Sequence, residues 1–477
     1  MLTYELKKLP GIPLYEALYR CIREDITTGR LRANEKLPSK RALAQHLEVS
    51  KITVEGAYEQ LLSEGYIRSR EKVGYFVEPN RESTNFDPAS TKFDLPLTNS
   101  SKKSTNFDLP FPNPDKKPTK FDLVDLTANG PIRFPFSVWS RLQRQVMLDL
   151  GEQLLAPLPN QGLWELRCAI SAQLMAFRGM YAPPEHILIG AGTDFLYNLL
   201  IQLLGRDKQY AVEEPGYSKI RRIYAAGGVV CRGAEMDSQG VIPELLGDAQ
   251  VLHISPSHHF PTGTVTSIGR RQALIQWATG AQDRWIIEDD YDSEFRFHAR
   301  PMAAIQSMNP DRVIYMNTFS KTLASPIRIS YMVLPGQLMA RFQKELGFYS
   351  CTVPSFEQYT LERFLTQGYF EKHINRMRKF YKARRNRVLS AIANCPYAHR
   401  LTILEQNAGL HFLLKVDTRM DDRALTEQFA QAGIRINPLS SYFHGSAAEQ
   451  DTHTLVVNYS GLTDEALHKL EEILRTS

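Results

Sequence analysis

Residues 81–123 are dominated by Ser, Thr, Asn, Asp, Lys and Pro, and this stretch constrains the fold more than any other feature of the chain. Its few apolar side chains cannot offset the entropy of ordering so long a backbone. The chain therefore divides into a small head (residues 1–80), a flexible linker (81–123) and a large body (124–477). A short motif recurs within the linker as Thr84-Asn85-Phe86-Asp87, Thr91-Lys92-Phe93-Asp94, Thr105-Asn106-Phe107-Asp108 and Thr119-Lys120-Phe121-Asp122. That period is too short for a solenoid. It reads as slippage in a tolerated tether, or as a row of weak phenylalanine docking points. As a flexible coil the linker spans some tens of ångströms.

Composition excludes several function classes. A formal net charge of +5 over 477 residues is too small for a chain coated by nucleic acid, so any DNA affinity is local. Cys21, Cys168, Cys231, Cys351 and Cys395 are far apart and form no CxxC pair. This argues against a structural metal site or a disulfide framework, and for free thiols in a reducing cytosol. No apolar run reaches the roughly 18 residues of a membrane span. The first residues lack the basic and apolar regions of a signal peptide. The expectation is a cytoplasmic protein with no membrane partner.

The head reads as three helices and a hairpin. Leu14, Leu18, Ile22 and Ile26 follow Pro13 at i, i+4 spacing and mark a first helix that Gly29 ends. Ser39 is placed to cap a second helix with Leu43 and Leu47 inward. Ser50 is placed to cap a third with Val54, Ala57, Leu61 and Leu62 inward, ended by Gly65. Residues 66–70 and 75–77 read as short strands around a turn at Gly74. This is the element order of a winged helix-turn-helix, whose third helix enters a major groove. The leading end of that helix carries Ser50, Lys51 and Thr53. Lys40, Arg41, Arg68, Arg70 and Lys72 add cations toward phosphate. A protein-docking module with a solvated basic face is the alternative. The segment resembles the GntR family in Lys36-Leu37-Pro38-Ser39-Lys40-Arg41-Ala42-Leu43-Ala44, in Val49-Ser50-Lys51-Ile52-Thr53-Val54 and in Tyr58-Glu59-Gln60-Leu61-Leu62-Ser63-Glu64-Gly65-Tyr66-Ile67. The resemblance implies that Arg41, Lys51 and Thr53 contact a double-stranded DNA operator and that the turn at Gly74 approaches the minor groove.

The body alternates apolar strands with amphipathic helices, the pattern of an α/β domain on a mostly parallel sheet. Three strand ends carry chemistry. Ile187-Leu188-Ile189 runs into Gly190-Ala191-Gly192-Thr193 and then a helix. Backbone N–H groups there can cradle a phosphate, or simply make a turn. Trp285-Ile286-Ile287 runs into Glu288-Asp289-Asp290-Tyr291-Asp292. If extended, Asp289 and Tyr291 share a face and can grip a pyridinium N–H and a phenolate oxygen. An acidic loop, with or without a divalent metal, is the other reading. Val313-Ile314-Tyr315-Met316 opens into Asn317-Thr318-Phe319-Ser320-Lys321-Thr322. Lys321, beside hydroxyls and near Arg328, can be a nucleophilic amine or a surface group.

Together with Glu214-Pro215-Gly216-Tyr217, Ser255-Pro256-Ser257-His258-His259-Phe260-Pro261-Thr262-Gly263 and the run from Ile287 to Phe295, these motifs resemble the fold-type I aminotransferases (class I/II), which use pyridoxal 5'-phosphate (PLP). The fusion to a GntR head is similar to the MocR-type regulators. The resemblance implies that Lys321 forms the Schiff base with PLP, Asp289 pairs with the ring nitrogen, Tyr291 bonds the ring oxygen and Tyr217 stacks on the ring. It further implies that Gly192, Thr193, Thr318, Ser320 and Arg328 surround the phosphate. His258 and His259 lie near the ring.

Three positions depart from the aminotransferase pattern. Many such enzymes end in a strand reading roughly Leu-Arg-Leu-Gly-Phe-Ser, whose arginine clamps the substrate carboxylate. The corresponding Leu455-Val456-Val457-Asn458-Tyr459-Ser460 carries Val456 there, which cannot form a bidentate fork. Lys219, two residues after Tyr217, is a weaker planar match for a second carboxylate contact. No tyrosine stands near Pro157, where one usually reaches the partner's cofactor phosphate. The cofactor chemistry reads as intact and the substrate-positioning chemistry as damaged. The expectation is a regulator that senses PLP, an amine or an amino acid through Lys321; the resemblance to the MocR-type regulators further implies a homodimer with each head lying over the partner's body. A working PLP-dependent transaminase with an accessory DNA-binding arm is the alternative; a scaffold binding neither DNA nor PLP is a third.

Overall fold

A computed structural model describes Tyr4 and residues 14–70, 74–78, 124–127, 133–295, 303–404, 409–444 and 450–476. Pro13, Lys72, the side chain of Arg70 and the expected linker 81–123 lie outside the described residues.

The head forms α1 (Leu14–Thr27), α2 (Lys40–His46), α3 (Lys51–Ser63), β1 (Ile67–Arg70) and β2 (Gly74–Val77). The i, i+4 stripe buries Leu18 and Ile22 against Leu43, Val54, Ala57, Tyr58 and Leu61. Both serine caps form as the sequence predicts: Ser39 Oγ accepts the Ala42 N–H at 3.1 Å and Ser50 Oγ the Thr53 N–H at 3.1 Å. Gly29 and Gly65 close their helices at φ +75° and +74°, the left-handed backbone that favours glycine. The two strands pair antiparallel, with Arg70 opposite Gly74.

The body begins at β3 (Val124–Asp125), which pairs in parallel with β14 near the far end of the chain; β14 is Ile434–Arg435. Its main sheet contains β4 (Ile187–Gly190), β5 (Tyr210–Glu214), β6 (Cys231–Asp237), β7 (Gly240–Val241), β8 (Val251–Ile254), β9 (Trp285–Asp289), β10 (Val313–Thr318) and β11 (Ser330–Val333). Among the described residues the spatial order is β4-β11-β10-β9-β8-β5-β6-β7. Strands β10, β9, β8, β5 and β6 run parallel, while β11 and β7 are antiparallel to their neighbours. Helices α4 (Phe136–Leu150), α5 (Trp164–Arg178), α6 (Thr193–Leu204), α7 (Ser218–Ala226), α8 (Ile268–Thr279), α9 (Ile305–Met308) and α10 (Phe319–Thr322) accompany these strands. Every residue of β8, β9, β10 and β11 is buried, as a parallel sheet covered on both faces requires. Alternate residues of β10 serve opposite cores. Ile314 and Met316 pack with Leu196 and Leu200 of α6, and Tyr315 packs with Leu166 and Ile170 of α5.

A second, four-stranded antiparallel sheet holds β12 (Leu401–Leu404), β13 (His411–Val416), β15 (Asn437–Pro438) and β16 (Thr454–Asn458). No helix of the described residues is long and apolar enough to cross a membrane.

Candidate DNA interface and cofactor site

Two regions concentrate chemistry. In the head, the leading end of α3 gathers Ser50, Lys51 and Thr53. Ser50 Oγ and Thr53 Oγ1 lie 2.8 Å apart. Lys51 Nζ stands 3.3 Å from Glu55 Oε1, and Lys40 Nζ 4.0 Å from the same oxygen. Lys40 also lies over the Tyr75 ring, 5.4 Å from its centroid, so the wing is tied to α2. Arg41 is exposed. Arg68 is paired within the wing, its Nε 3.3 Å from Glu78 Oε2. Gly74 opens β2 at φ +128°, a conformation side chains rarely adopt.

In the body, β4, β5, β8, β9 and β10 bring their carboxyl ends to one edge, where open α/β sheets bind ligands. Asp289 closes β9 and is buried. Its Oδ2 accepts a hydrogen bond from the Tyr197 hydroxyl and lies 3.4 Å from His253 Nε2. His253 Nδ1 in turn lies 2.7 Å from the Tyr224 hydroxyl. Asp289 Oδ1 has no partner. A buried acceptor left unmade is costly, so this oxygen is open to a donor from a bound group.

Tyr291 reaches the same region by a route the sequence does not predict. Strand β9 ends at Asp289, so a bend places the Tyr291 side chain, not period-two alternation. Its hydroxyl is 3.3 Å from His258 Nδ1, which is 2.9 Å from Asp292 Oδ2. The His258 ring packs on Gly409, where an added Cβ would fall 1.7 Å from the imidazole. His258, not His259, is thus the histidine beside Tyr291. His259 turns away: its Nδ1 meets Thr262 Oγ1 at 2.7 Å and its Nε2 lies 3.5 Å from Glu213 Oε2. Burial lowers His259 to about 3 and raises Glu213 to about 8, so both are neutral near pH 7.

Lys321 sits on α10. Burial lowers its amine below the ordinary lysine range, opposed by the charges of Asp292 and Asp289. Thr318 caps α10 by accepting the Ser320 N–H at 3.1 Å, and it also accepts from Ser330 Oγ at 2.7 Å. Its hydroxyl therefore shapes the loop. Ser320 Oγ is buried with no partner. The Arg328 guanidinium lies against Gly192, where a Cβ would fall 2.1 Å from Nη2. Gly192 stands at φ +90° just before Thr193 opens α6. A bare backbone, a free hydroxyl and a guanidinium make an anion cradle. Lys219 joins this end: its Nζ is 2.7 Å from Asp194 Oδ2, which is 3.6 Å from Arg328 Nη2. Tyr217 is half-exposed and meets Phe260 edge-on at 5.9 Å. Val456 is buried in β16 opposite Leu413.

The sequence reading missed Tyr197, His253 and Asp292. A signal existed for His253, a polar residue inside the apolar run of β8. Tyr197 lies one turn beyond Thr193 on a helix that otherwise reads as core.

Behind this site lies a buried ion pair. Arg178 Nε is 3.1 Å from Asp290 Oδ2, with both side chains buried. Arg178 donates to Ser257 Oγ at 2.9 Å, and Asp290 accepts from the Tyr315 hydroxyl at 2.6 Å and from Ser293 Oγ at 2.8 Å. Nearby, burial and then the Asp290 charge push the Glu294 carboxyl up to about 7. The folded chain thus keeps a proton there that the unfolded chain releases at lower pH. Stability from this site falls as pH rises from about 4.5 through 7. Glu294→Gln cannot ionise, so we expect it to exceed wild-type stability by ~3 kcal/mol at about pH 8 and to match it at about pH 4. Thermal melts at the two pH values check this; parallel curves would remove Glu294 from the account.

Residues 14–77 match the family described as Bacterial regulatory proteins, gntR family. The chain is 34% identical over 474 residues to the uncharacterized HTH-type transcriptional regulator YdeL of Bacillus subtilis (strain 168), covering 98% of this chain and 97% of that one. It is 30% identical over 472 residues to the probable rhizopine catabolism regulatory protein MocR of Rhizobium meliloti, covering 98% and 94%. It is 29% identical over 434 residues to the HTH-type pyridoxine biosynthesis transcriptional regulator PdxR of Corynebacterium glutamicum, covering 90% and 88%. Among solved structures, the multiple substrate aminotransferase from Thermococcus profundus matches with a TM-score of 0.63 at 22% identity, over 74% of this chain and 91% of that chain. At that identity the likeness establishes the fold alone. Similarity to regulators over nearly the whole length is stronger evidence, and it places the chain in the MocR-type family of transcription regulators, in which a GntR-family reader is fused to an aminotransferase-like body.

Proposed function

We propose that the body holds PLP through Lys321 and senses PLP itself, an amine or an amino acid, and that a homodimer passes this state to two heads on a double-stranded DNA operator. The observation that carries the reading is the unpartnered, buried Asp289 Oδ1 in the same site as an amine whose pKa burial has lowered. When bound, PLP supplies an aldehyde that takes up amines and a ring that withdraws electrons. The lowered pKa leaves more of the Lys321 amine unprotonated and nucleophilic near neutral pH. Asp289, held by Tyr197 and His253, would keep a ring nitrogen protonated. Tyr291 and His258 would hold the ring oxygen, and Tyr217 would cover one face. Gly192, Thr193, Ser320 and Arg328 would hold the phosphate, with Thr318 shaping the loop. Lys219 is engaged with Asp194 and Val456 offers no charge, which favours sensing over transamination.

Phe136, Met147 and Leu148 on α4 are 74%, 50% and 77% exposed, and Leu155 just beyond is 75% exposed. Apolar side chains left in water along one segment mark an interface, and a second copy of the chain is the proposed occupant. Leu148→Asp should convert the dimer to monomer in sedimentation velocity, since a symmetric interface takes the charge twice. An unchanged dimer would overturn that assignment.

Footprinting of the DNA upstream of its own gene, with and without PLP and candidate amines, tests the whole proposal. Protection that changes with PLP or an amine is the expected result. Absence of protection by intact protein would defeat the operator reading. Protection indifferent to every amine and to PLP would defeat the sensor reading. Sustained turnover with an amino acid and a 2-oxo acid would make the body an enzyme.

A further inference from the structure

We infer that Ile52 reads a thymine methyl group in the major groove and so sets the operator sequence at one position in each half-site. The inference rests on the DNA-binding reading of the head. Ile52 is the second residue of α3 and is 78% exposed, the most exposed of the large apolar side chains among the described residues. At 100° per residue it points opposite the buried face made by Val54, Ala57 and Leu61. That outward face, at its leading end, is what a winged helix-turn-helix inserts into the groove.

The polar groups around Ile52 are already engaged within the protein. The Ser50 and Thr53 hydroxyls lie 2.8 Å apart, and Ser50 also caps the Thr53 N–H. Lys51 folds back one turn onto Glu55 at 3.3 Å, and Lys40 approaches the same carboxylate at 4.0 Å. Lys51 also protrudes, 64% exposed but held on Glu55, so among the described residues the protruding group with no partner at this end of the helix is the apolar Ile52. Thymine alone presents an apolar methyl on its major-groove edge, and burying Ile52 against it removes both from water. The lysines remain suited to phosphate, which positions the head without choosing a base.

The test uses the full chain. Duplexes from a randomised pool are enriched for binding. Each thymidine of the enriched sequence is then replaced in turn by deoxyuridine, which keeps the base pair and deletes only the methyl. Wild-type protein is expected to lose about fourfold in affinity at one thymidine per half-site, one methyl's worth of burial. Ile52→Ala trims an exposed side chain and leaves the core untouched; it is expected to show no penalty at that thymidine. Wild-type indifference to uridine at every position would overturn the inference. So would a uridine penalty that persists in Ile52→Ala. Failure of wild-type protein to enrich any duplex would instead defeat the DNA-binding reading, and this inference with it.

Discussion

Lys321→Ala protein should purify without the visible absorbance of bound PLP and should not regain it when PLP is added and excess is removed. Among the described residues Lys219 and Lys321 stand near the site, and the geometry separates them. Lys219 is ion-paired with Asp194 at 2.7 Å and half-exposed. Lys321 has its amine pKa lowered by burial, with Asp292 and Asp289 close enough to oppose the shift. Only a desolvated amine without a fixed ion-pair partner is poised to attack a carbonyl. Because Lys321 lies on the short α10, beyond the buried core of β10, its truncation should leave the fold intact. Far-ultraviolet circular dichroism and wild-type affinity for non-operator DNA provide the control. Retained visible absorbance would show that another amine holds the cofactor.

Arg178→Met should destabilise the body by ~3–5 kcal/mol, because it leaves the Asp290 carboxylate buried and unpaired. In a body of this size that corresponds to a fall in Tm of roughly 5 °C. Arg178 and Asp290 face each other at 3.1 Å, with side chains 3% and 0% exposed, so water cannot replace the lost partner. The double variant Arg178→Met, Asp290→Asn removes the uncompensated charge and should recover most of the loss. A double variant as unstable as the single would show that the cost lies in packing rather than charge. Asp290 directly follows Asp289, so the ion pair also braces the strand end that aims the Asp289 carboxylate. The single variant should therefore weaken PLP retention as well, which equilibrium dialysis would detect.

Local physics made much of the head legible. Ser39 and Ser50 cap their helices because a hydroxyl in an extended residue reaches the N–H three residues on, whatever the rest of the chain does. Gly29 and Gly65 end theirs because few other residues accept a positive φ. The strand-end residues Gly192, Asp289 and Lys321 were legible for a related reason: a parallel sheet places the carboxyl ends of its strands at one edge. Tyr291 was assigned to the site, but through the wrong geometry, because a strand's period-two rule ends where its ladder ends.

The amino-acid sequence by itself determined the two-part organisation, the helix boundaries of the head, the mostly parallel sheet and the strand ends that meet at the site, since each follows from composition, capping or periodicity over a few neighbouring residues. Only the tertiary structure decided that Tyr197 and His253 hold one oxygen of Asp289 and leave the other bare, that His258 rather than His259 faces Tyr291, and that Lys219 serves Asp194. These are contacts between residues from 25 to 92 positions apart. Directional hydrogen bonds and ion pairs depend on fractions of an ångström set by packing, and packing is a property of the whole fold.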